Sequence, residues 1–172
     1  MKKVRCKKRI HIIGIAGVIG SGLAEALRSN GWQVTGSDKD EVYPPVSTFL
    51  AQKKIRYYKG YHEKHITPNL DLVVLSGSAL LVNKNNPEYL KAKKLGLPII
   101  SQAQAIEKFV VRKNSIVVAG TYGKTTTTAI LTAILTQAQL NPSYMLGGIP
   151  KNNILPLKIT NSSWSVVEGD EY

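Results

Sequence analysis

Cysteine occurs once in these 172 residues, as Cys6, so no internal disulfide can form. A thiol-poor chain suits a reducing compartment, and a cytoplasmic protein is expected. No stretch reaches the roughly 18 uninterrupted apolar residues of a membrane span, so no membrane partner is expected. Acidic residues are scarce, 11 against 23 Lys and Arg, which gives a net charge of +12. Nor does any Ser/His/Asp or Cys/His arrangement for nucleophilic catalysis stand out.

The charge imbalance is local. Residues 1–113 hold 20 Lys/Arg and 8 Asp/Glu, whereas residues 114–172 hold 3 of each. The lysines are scattered, without the aromatic–basic interleaving of a nucleic-acid surface. A face that favours polyanions in general, nucleotides included, is the expectation, with no nucleic-acid partner. The start, MKKVRCKKR before IHIIGIAGVIGSGLA, has the outline of a signal peptide. His11 interrupts its apolar run, however, and glycines recur at 14, 17, 20 and 22. The 43% apolar content marks a globular chain.

What is present centres on Ser115–Thr128, SIVVAGTYGKTTTT. A short apolar run, Ile116–Ala119, leads into Gly120-Thr121-Tyr122-Gly123-Lys124-Thr125, and a helix-compatible segment follows. Strand, glycine-bounded loop and helix in that order are the context in which a phosphate-binding loop works, with an ordinary polar turn before a helix as the alternative. Gly120 and Gly123 allow the turn that aims backbone N–H groups into one concavity. Lys124 reaches for the outer phosphates, and the Thr125 hydroxyl for a phosphate-bound Mg²⁺. Only Thr121 and Tyr122 separate Gly120 from Gly123, so this is a shortened form of the general pattern.

Upstream, Ile10–Ile15 reads as a buried parallel strand. The glycine-rich turn Gly14–Gly22 and the helical stripe Leu23, Ala26, Leu27 follow, with a stop at Asn30-Gly31. A second strand, Gln33–Gly36, ends at Ser37-Asp38, which completes a βαβ unit with an acid after it. Against G-x-G-x-x-G the match is imperfect, because Ala16 and Ile19 occupy glycine positions. A pyrophosphate can still approach through Gly17 or Gly20. The alternatives are glycines that serve only close helix–strand packing, and an Asp38 that only caps a turn.

Further on, Ser47 is the expected N-cap of a short helix, and Tyr57–Tyr61 a brief strand. Asp71–Ser76 reads as another buried strand, Asn86-Pro87-Glu88 as a helix opening that closes at Gly96, Pro98–Ser101 as a strand and Ala103–Val111 as a helix. His62 and His65 lie in a polar turn, read as solvated in preference to a metal pair. Four or so strand–helix alternations over 10–113 imply a doubly wound parallel sheet, with a boundary at Arg112–Asn114. Beyond it, Ser143–Leu146 and Ser165–Glu168 read as strands. The latter ends in acids, and Glu168 is the candidate carboxylate for Mg²⁺, with Asp170 and Glu171 behind it. A capping or solvated acid cluster is the alternative.

Taken together, GIAGVIGSGLA, GSD at 36–38, NPE at 86–88, AGTYGKTTTT and VVEGDEY resemble the Mur ligases of peptidoglycan synthesis. VYPPVSTFLAQKKI and the ending EGDEY are most similar to the branch that joins L-alanyl-γ-D-glutamyl-meso-diaminopimelate to UDP-N-acetylmuramate. The UDP-N-acetylmuramate–L-alanine ligases come second. The resemblance implies an α/β chain: a Rossmann-like parallel-sheet domain over 1–113 that holds the UDP-sugar, then the truncated start of a P-loop central domain over 114–172. It implies UDP-sugar contacts at Gly14, Ala16, Gly17, Val18, Ile19, Gly20, Asp38, Ser76, Ser78 and Ala79. It implies ATP contacts at Gly120, Thr121, Tyr122, Gly123, Lys124, Thr125 and Thr126, with Lys124 catalytic and Thr125 and Glu168 holding Mg²⁺. The family's reaction makes an amide through an acyl phosphate. Tyr122 stands where the family usually has His, and Gly169 where it has Ala.

Family members are far longer, so the expectation is an N-terminal portion, inactive alone or completed by a separate chain that supplies further domains. A non-enzymatic module that binds UDP-sugar and nucleotide is the alternative. An NAD oxidoreductase rests on the first turn alone, and a nucleic-acid binder on charge alone.

Overall fold

The computed structural model describes residues 8–39, 41–77, 85–151 and 154–169. Cys6, Ser78, Ala79, Asp170 and Glu171 therefore lie outside the described residues. Two sheets organise the chain. The first has strands β1 (Arg9–Ile13), β2 (Gln33–Asp38), β3 (Tyr58–Lys59), β4 (Leu72–Leu75) and β5 (Ile99–Ser101) in the order β3-β2-β1-β4-β5, all parallel. Among the described residues its helices are α1 (Val18–Ser29), α2 (Val46–Gln52), α3 (Pro87–Lys94) and α4 (Gln102–Phe109). A 3₁₀ turn spans Glu63–His65.

Local chemistry accounts for most boundaries. The β1 sequence RIHII and the β4 sequence LVVL are buried apolar runs, as a strand covered on both faces requires. Asn86 caps α3 through its side-chain oxygen, which accepts from the Glu88 and Tyr89 N–H groups, with Pro87 at the first helical position. Ser101 and Gln104 form a reciprocal capping box on α4. Ser47 is not the cap of α2; Pro45 holds that position without a side-chain bond, and Ser47 donates its N–H to the Tyr43 carbonyl inside the first turn.

The second sheet is β6 (Asn114–Val118), β9 (Trp164–Glu168), β7 (Ser143–Met145) and β8 (Leu157–Lys158), in that spatial order. The pairs β6–β9 and β9–β7 are parallel, and β7–β8 is antiparallel. Helix α5 (Lys124–Gln137) packs Leu131 and Leu135 on the cluster of Tyr144, Leu146 and Val166. Its threonines fit a helix because Thr128 and Thr136 return their hydroxyls to the Lys124 and Thr132 carbonyls.

One core cluster runs through both sheets: Ile10, Ile12, Leu23 and Leu27 share it with Met145, Leu157 and Val167. Helix α1 makes this junction. A Cβ on Gly22 would lie 3.1 Å from both Leu157 Cβ and Pro156 Cγ, so glycine permits the close approach of β8.

Candidate functional site

The carboxyl ends of the parallel strands gather the residues of interest in both sheets. In the second, β6 ends at Val118, in register with Glu168 at the end of β9. The chain then turns through Gly120 at φ 148° and Gly123 at φ 75°, both in territory that favours glycine. Gly123 is the N-cap of α5, which has neither a side-chain cap nor an acid in its first turn. That leaves the positive end of the helix to the loop.

Glu168 closes the other side. The Thr125 hydroxyl donates to Glu168 Oε1 at 2.9 Å, and the Gly147 N–H donates to Oε2 at 2.6 Å. Residues 121–126 and Glu168 line an open cavity of about 330 Å³. Its Thr hydroxyl and its carboxylate, only 9% exposed, are adjacent hard oxygen donors. This set fits a Mg²⁺ that takes its remaining ligands from phosphate and water. Tyr122, at the rim, is 94% exposed. Gly147 went unseen in the sequence, although Gly147-Gly148 directly after a strand was a usable signal. A Cβ there would stand 2.6 Å from Glu168 Oε1.

In the first sheet the strand order reverses direction between β1 and β4, which makes the crevice between their carboxyl ends the switch point. The glycine turn after β1 and Ser76 after β4 flank it; the Ser76 N–H donates to the Ile13 carbonyl at 2.9 Å. Several turn amides are used internally. Gly14 and Ile15 donate to the Ser37 carbonyl at 2.9 and 3.1 Å, and Ala16 donates to Asp38 Oδ2 at 2.6 Å. Asp38 Oδ1 accepts from its neighbour Lys39 N–H at 2.8 Å. The carboxylate thus clamps the turn, and it is not held out toward a ribose as in a dinucleotide site.

The turn's glycines differ in what they do. A Cβ on Gly20 would lie 2.5 Å from the Gly14 carbonyl, so Gly20 serves close packing of α1 on the turn. Gly17, the extended N-cap of α1, has room around it, and α1 has no side-chain cap or first-turn acid. The free end of α1 therefore faces the crevice with Val18 and Ile19 in its first turn.

The histidines of the polar turn are not both solvated. His65 Nδ1 pairs with Glu88 Oε1 at 2.6 Å, and the Tyr58 ring stacks on His65 at 4.0 Å between centroids. Among the described residues, no group of three or more His, Cys, Asp or Glu could hold a metal ion. No helix there is long and apolar enough to cross a membrane.

Residues 9–114 match the model for "Mur ligase family, catalytic domain". The chain belongs to the Mur ligase family. The UDP-N-acetylmuramate–L-alanyl-γ-D-glutamyl-meso-2,6-diaminoheptandioate ligase of Escherichia coli is 39% identical over 165 residues, 95% of this chain and 35% of that protein. A UDP-N-acetylmuramate–L-alanine ligase of Vesicomyosocius okutanii is 37% identical over 94% of this chain and 33% of that protein. The crystal structure of the UDP-N-acetylmuramate:L-alanyl-γ-D-glutamyl-meso-diaminopimelate ligase from Neisseria meningitides superposes with a TM-score of 0.81 at 32% identity, covering 97% of this chain and 54% of that one. This Mur ligase chain spans about a third of the length of the curated relatives it matches.

Proposed function

We propose that residues 1–113 form the UDP-N-acetylmuramate-binding unit, and residues 114–172 the first part of the ATP-binding unit, of a cytoplasmic ligase of peptidoglycan synthesis or recycling. The acceptor amine belongs to L-alanyl-γ-D-glutamyl-meso-diaminopimelate in this reading, which the similarity to the Escherichia coli and Neisseria ligases of that name supports. One observation carries the nucleotide assignment. Thr125 and Glu168, 43 residues apart, meet at 2.9 Å across the mouth of a loop that opens a helix.

The chemistry is a two-step amide synthesis. The muramate carboxylate attacks the γ-phosphorus of ATP and displaces ADP. The acceptor amine then attacks the acyl carbon, loses a proton and expels phosphate. Thr125 and Glu168 would hold a Mg²⁺, which would supply charge neutralisation on the phosphates. The Gly120–Thr126 backbone cradles the phosphates, and Lys124 faces the charge that develops during transfer. Gly14, Ala16–Gly20, Asp38 and Ser76 frame the UDP-sugar, the clamped turn presenting the α1 N-terminus to its diphosphate.

Calorimetry with ATP, with and without Mg²⁺, tests this reading. ATP binding strengthened by Mg²⁺, with the strengthening lost in Glu168→Gln, is the expected result. Binding that ignores Mg²⁺ in the parent chain would refute the assignment of Thr125 and Glu168.

A further inference from the structure

Outside the two turns, the densest chemistry among the described residues lies beneath the carboxyl edge of the first sheet. Glu88, the second residue of α3, is fully buried. A buried carboxylate is tolerated only where donors surround it, and here they arrive from three other elements. Oε2 accepts from the Ser37 hydroxyl of β2 and lies 3.3 Å from His11 Nε2 of β1. Oε1 accepts from the His62 N–H at 3.2 Å and pairs with His65 Nδ1 at 2.6 Å, both from the 3₁₀-turn region. His11 is itself fixed by Thr35 Oγ1, 2.9 Å from its Nδ1. On its own helix, Glu88 donates its N–H to Asn86 Oδ1. A further ionisable neighbour is Tyr61, whose phenol is pushed up to about 12 by burial and by the Asp38 and Glu88 charges.

The connection to the glycine turn is short. Glu88 holds the Ser37 side chain, the Ser37 carbonyl takes the Gly14 and Ile15 amides, and the adjoining Asp38 takes the Ala16 amide. The geometry points to Glu88 as a positioning residue for the UDP-sugar turn: its carboxylate fixes Ser37, and Ser37-Asp38 fixes the three amides that shape the turn. This inference rests on the UDP-sugar reading of that turn. It also explains the need for a carboxylate. A glutamine would turn an NH₂ toward one of the two donor pairs, and that side of the network would open.

The test compares Glu88→Gln and Ser37→Ala with Val73→Ala, a fully buried β4 residue of the Ile13–Leu75–Ala92 cluster whose side chain can make no hydrogen bond. Amide hydrogen exchange at Gly14, Ile15 and Ala16 is measured by NMR on the full chain, and affinity for UDP-N-acetylmuramate by calorimetry. In Glu88→Gln, exchange at those amides rises about tenfold or more and affinity falls about tenfold, as loss of a hydrogen bond to a charged group implies. Val73→Ala lowers Tm while both readouts stay near the parent values. If Glu88→Gln does not fold, Ser37→Ala carries the test, with the same rise in exchange expected. Unchanged exchange in Glu88→Gln or Ser37→Ala, or an equal rise in Val73→Ala, overturns the proposal. If the parent chain binds no UDP-N-acetylmuramate, the ligand reading fails by itself and the exchange comparison still decides the positioning role.

Discussion

At the scale of single residues, Glu168 and Glu88 are two nearly buried carboxylates with different duties. Glu168 faces the phosphate loop and depends on a residue with no side chain. Replacing Gly147 with alanine puts a Cβ 2.6 Å from Oε1, so the carboxylate must move. Gly147→Ala is expected to weaken Mg²⁺-dependent ATP binding by about tenfold or more, measured by calorimetry, while Tyr122→Ala leaves Tm unchanged because that ring is exposed. For Glu88, burial is the largest influence and pushes the carboxyl up, yet the bonds from His11 and Ser37, the His11 charge and the His65 bond hold it below the ordinary glutamate value. The folded chain therefore releases this proton more readily than the unfolded chain. The resulting stability is present above the ordinary value and is lost as pH falls through the lower folded one. Thermal melts across the acid range should show Tm falling below about pH 4.5 in the parent chain, and falling less steeply in Glu88→Gln.

At the scale of elements, the strand–turn–helix order of both sheets was legible, because apolar runs bounded by glycines carry it. Asn86-Pro87-Glu88 announced α3 for the same kind of local reason. What escaped depends on contacts distant in sequence. The strand β8 has two residues, and it exists because Tyr144 and Met145 pair with Lys158 and Leu157. His65 reads as a loop residue until α3 brings Glu88 to it across 23 positions. His11 in the middle of IHII was the one local hint of a buried polar network. The glycine-rich turn also divides in a way its spacing does not reveal, since close packing of α1 on the turn already demands a glycine at Gly20. Gly20→Ala would put a Cβ 2.5 Å from the Gly14 carbonyl, a backbone atom that cannot swing aside. A loss of about 1–3 kcal/mol is expected, read as a lowered midpoint in urea unfolding.

For the whole molecule, the shared core decides how the two sheets behave. Leu157 of β8 is buried with Ile10 and Leu27 from the first sheet's side of the junction. Leu157→Ala should cost about 2–5 kcal/mol, and the loss should register in both sheets: Trp32 fluorescence and Trp164 fluorescence, separated by single Trp→Phe variants, should shift together. Separate transitions would mean that the junction through α1 and β8 does not couple them. The phosphate loop and the clamped glycine turn sit on this one framework at the carboxyl ends of their strands. That arrangement is what the proposed ligase reading requires of the chain: one turn for the UDP-sugar and one for ATP.

The most direct measurement is a calorimetric comparison of UDP-N-acetylmuramate, NAD and Mg²⁺·ATP on the parent chain and on Lys124→Ala. The expected result is that the parent chain binds UDP-N-acetylmuramate and ATP but not NAD, and that Lys124→Ala loses ATP while keeping the UDP-sugar. NAD binding without UDP-N-acetylmuramate binding, or ATP binding undiminished in Lys124→Ala, would contradict it.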